Sequence, residues 1–203
     1  MTHFSFPFFA CFLTFVIWFA VKRSKNQKIE KKRDEEFWQK EHDANFTRRK
    51  NLDVIEYISI PYDAFPIGKY ADDEKIKSAE DELLSLKEQR ILNLTGKTST
   101  ELKLEYGVAN LATVSEYDDN YTKMIKTLQA YAEALCNLSH ISEATTVLEF
   151  SISTGSDISA SYLLLGDIYK SQGRDSEISG LIEQAKALDS LMKQSIIDAL
   201  EAL

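Results

Sequence analysis

Helix-breaking residues are scarce: the 203-residue chain has seven glycines and three prolines. An interior so poor in breakers excludes loop-rich architectures and favours helix. There are two cysteines, Cys11 and Cys136, too few and too distant to imply a disulfide framework. No Cys/His cluster has zinc spacing, and His3, His42 and His140 stand alone. No metal or cofactor is therefore expected. Residues 1–21 contain no Lys, Arg, Asp or Glu. Residues 22–50 hold 11 bases against 6 acids, and the remaining 153 residues hold 13 bases against 26 acids. A body this acidic repels phosphate backbones, which excludes nucleic acid as its partner.

What the apolar end does have is one uninterrupted run, "FSFPFFACFLTFVIWFAV", from Phe4 to Val21. As a helix these 18 residues span about 27 Å, close to the hydrocarbon core of a bilayer. A cleaved signal peptide would carry its positive charge before the run and small residues at a cleavage site. Here Lys22, Arg23, Lys25 and Lys28 follow the run. The flanking charges therefore predict a retained single-pass anchor over residues 1–21, its N-terminus outside and residues 22–203 cytoplasmic. Residues 22–43 read as a basic juxtamembrane helix, with Glu36 and Lys40 spaced for an ion pair.

Residues 44–71 change texture. Ile55, Tyr57, Ile58, Ile60 and Phe65 are too apolar for a free linker, and Pro61 and Pro66 forbid continued helix. The segment reads as an extended strap lying on the helical domain, with docking onto another protein as the alternative. Residues 72–203 read as that domain. A helix is expected from Asp72 to Asn93, then a short one capped by Thr98 or Ser99 and stopped by Gly107.

Further on, Tyr162, Leu165, Gly166 and Tyr169 share one helical face, Gly173 marks a turn, and Ala185 is a small residue on the following helix. Stepping back by the same period finds Leu128, Tyr131, Ala132 and Leu135, with Ala144 and Leu148 aligned to Ile178 and Ile182. These spacings resemble the tetratricopeptide repeat, which stacks helix–turn–helix units of about 34 residues. The resemblance covers about 125–192 and implies antiparallel helical hairpins, with Gly166 allowing the second helix of its unit close. Ile178 and Ser190 depart from the family pattern. An unrelated pair of hairpins is the alternative. The helices are expected at about 115–138, 142–153, 158–171 and 176–188, with a final amphipathic helix carrying Leu191, Ile196, Leu200 and Leu203. The whole chain also resembles small, uncharacterised membrane-anchored proteins of clostridial bacteria, a likeness that transfers no functional residue. The expected fold is thus all-α, with stacked hairpins, upstream helices, a C-terminal helix and an N-terminal transmembrane helix.

One stretch suggests chemistry. "LTGKTST" at 94–100 ends like a phosphate-binding loop. The motif needs a first glycine where Ile91 stands, and a strand before it where "SLKEQRILNL" reads as helix. No nucleotide is expected there. The remaining carboxylates sit in helical contexts, and nothing in the sequence sets a base beside Cys136, so no enzyme activity is expected. Stacked repeats expose a concave face from their first helices. Lys126, Gln129, Glu133, Asn137, Asp167 and Lys170 have spacings that suit such a face and are the candidate partner-binding residues. The sequence-level reading is a membrane-anchored scaffold that binds a protein of unknown identity. A self-associating structural protein, or an enzyme with an unrecognised site, is the alternative.

Overall fold

The computed structural model describes residues 6–203; of Phe6, Pro7, Phe8 and Ala10 it describes the backbone alone. Among the described residues the chain forms eight α-helices and no strand. They are α1 (Phe6–Asn45), α2 (Glu74–Ser85), α3 (Ser99–Tyr106), α4 (Leu111–Asn137), α5 (Ile141–Ser153), α6 (Ser159–Ser171), α7 (Asp175–Ala187) and α8 (Lys193–Glu201).

The apolar run and the basic segment after it form one unbroken helix, α1, exposed from Cys11 to Lys40. Among the described residues no helix is long and apolar enough to cross a membrane. Residues 1–5, the first part of the anchor expected over 1–21, lie outside the described residues. The far end of α1 is fastened to the body. Ala44 is fully buried, Glu41 accepts hydrogen bonds from Lys103 and Thr100 of α3, and Lys40 pairs with Glu101 at 3.8 Å. Lys40 is thereby drawn away from Glu36, which pairs instead with Lys32 at 3.6 Å. Bonds from Lys103 and then Thr100 hold the Glu41 carboxyl below its ordinary range.

The strap after α1 lies against its own domain. Ile60 and Phe65 are buried with α2, α4 and the later helices, and the Ile58 amide donates to the Ile91 carbonyl at 3.0 Å. Asp73 caps α2 by accepting from the amides of Lys75 and Ile76. The helix expected through Asn93 ends at Ser85. Tight bonds from Leu86 to Leu83 and from Lys87 to Leu84 close its last turn. The chain then runs extended beside α4, where the Leu92 amide meets the Tyr117 carbonyl at 3.1 Å. That course buries Ile91 and Leu94, which a longer α2 would have carried away.

From α4 onward consecutive helices pack on one another, and α8 also packs on α6. Leu128, Tyr131, Ala132, Leu135, Ala144, Tyr162, Leu165, Gly166, Tyr169 and Ala185 are all buried. The ends of α4 and α6 are built alike. The His140 amide donates to Leu135 and the Arg174 amide to Tyr169, each across a left-handed residue, Ser139 (φ 64°) or Gly173 (φ 69°). Each member of one cap lies 34 positions from its counterpart.

Two expectations about the end of the stack are corrected. Leu191 is fully exposed because it precedes α8 in a turn. Gly166 makes its close approach to the α8 end of the chain: a Cβ there would sit 2.5 Å from Leu203 Cδ1 and 3.2 Å from Leu200 Cδ2. The tight crossing is between α6 and α8, not within the α6–α7 pair. Gly166→Leu is therefore expected to destabilise the protein by about 1–3 kcal/mol through overpacking. A denaturant midpoint equal to wild type would remove Gly166 from that contact.

Candidate functional site

Helices α2 and α4 pack side by side and leave an open groove of about 550 Å³. Its α2 wall presents Lys75, Ser78 and Glu82, spaced at i, i+3 and i+7 and so on one face. Its α4 wall presents Lys126, Ala130, Glu133 and Asn137 by the same periodicity. Glu74 stands at one end, and Ala79 and Ala134 are buried in the lining. Three alanines keep the floor shallow enough for another backbone to approach, while charged ends stand along both rims. Lys123 pairs with Glu82 at 3.3 Å across the two helices.

Three of the six candidate residues, Lys126, Glu133 and Asn137, converge in this groove. Gln129 does not. It is 8% exposed, accepts from Ser161 Oγ of α6 at 2.5 Å and donates to Glu133 Oε1 at 2.7 Å. It ties α4 to α6 and steadies Glu133. Three residues after Lys126, it sits about 60° around α4, which turns it toward α6. Asp167 and Lys170 are exposed on α6 but do not line the groove. The sequence reading missed the whole α2 wall. Its signal was the polar set Lys75, Ser78 and Glu82 flanking the buried set Ile76, Ala79 and Leu83.

Beneath the groove lies a buried polar link. Glu80 is 4% exposed; its Oε1 accepts from Tyr131 Oη at 2.9 Å and its Oε2 accepts from the Gly68 amide at 2.9 Å. One carboxylate thus ties α2 to α4 and to the strap. Burial first, and the Glu80 carboxylate next, push the Tyr131 hydroxyl pKa upward. Cys136 is half-buried, and burial raises its thiol pKa, with the Glu133 charge adding to the effect. A raised pKa suits a structural thiol and disfavours a nucleophile. Among the described residues no group of three His, Cys, Asp or Glu is placed to hold a metal ion.

The "LTGKTST" stretch has a structural account. Gly96 (φ 84°) turns where the loop meets Asp189; a Cβ there would be 2.5 Å from the Asp189 carbonyl oxygen. Thr98 accepts from the Glu101 amide while Glu101 accepts from the Thr98 amide, a capping box that starts α3. Lys97 Nζ donates to both Glu105 oxygens, at 2.7 and 2.5 Å. Burial pulls the Lys97 ammonium pKa down, but the bonds to Glu105 and Tyr106 outweigh it and the net direction is up. Thr98→Ala is expected to cost about 1 kcal/mol, and Lys97→Ala, a half-exposed pair, no more than about 1 kcal/mol. ATP with magnesium should leave the melting temperature of the wild-type chain unchanged. A rise that depends on Lys97 would make the loop a nucleotide site.

No protein-family description, curated protein or solved structure matches the chain.

Proposed function

We propose that this chain is a membrane-anchored helical-repeat scaffold whose α2–α4 groove binds a segment of another protein. The observation that carries the reading is the groove itself. It is an open cleft with an alanine floor and charged rims, on which Lys75, Lys126 and Asn137 make no side-chain bond among the described residues. Grooves between packed elements are a recurrent place for a partner segment to lie. The duplicated caps after α4 and α6, 34 positions apart, support the tetratricopeptide-like reading of the stack. Stacked repeats commonly act as binding surfaces rather than catalysts.

The anchor reading rests on the uncharged run at 4–21 and on the basic residues that follow it. An impermeant thiol reagent tests it. A cysteine introduced at Ser190 should stay unlabelled in intact cells and label after lysis; labelling in intact cells would place the body outside.

The binding reading is tested by site-specific photo-crosslinking in native membranes. A photoreactive residue at Ala130, exposed in the groove, should give a discrete adduct. One at Ser179, exposed on α7, should not. Equal adducts at both positions, or none at Ala130, would reject the groove.

Self-association is a second reading, favoured by one observation. The helix α1 carries Ile29, Phe37 and the 67% exposed Trp38 along a stretch that no other element covers. Crosslinking from Trp38 that yields only doubled chain mass would support it.

A further inference from the structure

We propose that a second cleft, where the strap crosses the start of α4, binds a phosphate-bearing anion. The cleft encloses about 450 Å³ and is lined by Arg49 and Arg90 together with Asn51, Asp53, Thr113 and Tyr117. Its cations are held in place from behind. Arg49 Nε donates to Asn110 Oδ1 at 3.0 Å. Asn110 is fully buried, and its amide nitrogen donates to the carbonyls of Lys50 and Tyr106 at 2.7 and 2.8 Å, so its oxygen is oriented toward Arg49. This bond uses one Arg49 donor and leaves the terminal N–H groups for a ligand.

Arg90 is held by more exposed contacts. It donates to Asp53 Oδ1 at 2.9 Å and lies 5.0 Å over the Tyr57 ring, whose edge-to-face partner is Tyr117. Asp53 offsets the charge of Arg90, while Arg49 pairs with no carboxylate among the described residues. The Lys50 ammonium is turned away to the Leu104 carbonyl at 2.7 Å but adds to the local potential. Thr113 sits in the first turn of α4, at its positive end. This cationic cleft lies on a body, residues 51–203, with 13 bases and 26 acids. Two oriented guanidiniums beside a hydroxyl and a phenol match the planar, bidentate recognition of phosphate oxygens.

The phosphate could belong to a soluble molecule or to a lipid headgroup. The part of α1 beyond Val21 is about 36 Å long. On the anchored reading proposed above, the cleft at its far end stands clear of the headgroups, which favours a soluble source.

The test uses the purified full chain in neutral-detergent micelles, with inorganic phosphate as probe and sodium chloride at equal ionic strength as control. Phosphate should raise the melting temperature saturably. Thr113→Glu places a carboxylate on the cleft wall and should abolish the rise, read against that variant's own midpoint without phosphate. Arg90→Gln should weaken binding about tenfold or more. The two variants disturb different folding contacts, so a loss common to both reports the cleft. In a second arm, micelles doped with phosphatidic acid supply the same group on a lipid. A rise in that arm alone, sensitive to both variants, supports the phosphate chemistry with a lipid source. No rise in either arm, a rise that chloride reproduces, or one that Thr113→Glu leaves intact would overturn the proposal. None of these outcomes bears on the α2–α4 groove.

Discussion

Gly107→Ala is expected to destabilise the protein by about 3 kcal/mol or more, the sum of strain and overpacking. Gly107 has φ 84° and ψ 146°, a region that side chains other than hydrogen essentially never occupy. A Cβ there would also run into the Arg48 carbonyl and the Arg49 backbone, which cannot yield as a side-chain tip can. The position is where the strap first closes on the body: the Lys50 amide donates to the Tyr106 carbonyl at 3.2 Å beside it. Gly68 provides the control. Its φ is 76° but nothing lies within 4 Å of its missing Cβ. Gly68→Ala should therefore cost about 1 kcal/mol, the backbone strain alone. Chemical denaturation of the two variants decides the matter. Equal costs would mean that the strap does not press on Gly107.

Tyr131→Ala is expected to cost about 3–5 kcal/mol, as for other large residues removed from a packed core. Tyr131 is fully buried, and its ring fills the space between α2 and α4. Tyr131→Phe keeps the ring and removes only the hydroxyl, leaving Glu80 Oε1 without its donor in the interior. That should cost about 1–3 kcal/mol. The same hydroxyl accounts for an expected coupling. Glu80→Ala and Tyr131→Phe remove one shared bond, so the double variant should be more stable than the sum of the singles predicts. Strict additivity in the denaturant midpoints would show that the 2.9 Å bond contributes nothing.

Much of the helical stack was legible because its signals are local. Gly173 permits the left-handed turn it was assigned, and Thr98 caps α3 as its spacing with Glu101 allows. The boundaries of α5, α6 and α7 fall within a residue or two of expectation, since a left-handed residue, Ser139, Gly155 or Gly173, marks the turn before each. The errors share a different cause. Periodicity tells which residues turn inward but not which element they meet. Ile91 fits a helical repeat yet is buried from an extended segment, because the chain must run back along α4. Gly166 was correctly placed at a close crossing, but its neighbour is Leu203, far along the chain. Gln129 looked solvent-facing until α6 supplied Ser161 to cover it. The groove was half visible. Its α4 wall emerged from the repeat pattern, whereas the α2 wall lies outside the repeat and is joined to it by tertiary packing alone.

The central claim is that the α2–α4 groove is occupied by a protein where the chain works. Thiol reactivity measures this without knowing the occupant. In a chain whose Cys11 and Cys136 are replaced by serine, single cysteines are introduced at Ala130 in the groove and at Ser179 on α7. Labelling rates are then compared between native membranes and purified chain. The account predicts that the Ala130 position labels rapidly when purified and several-fold more slowly in membranes, while the Ser179 position labels equally in both. An Ala130 rate that is the same in membranes and in the purified chain would contradict it.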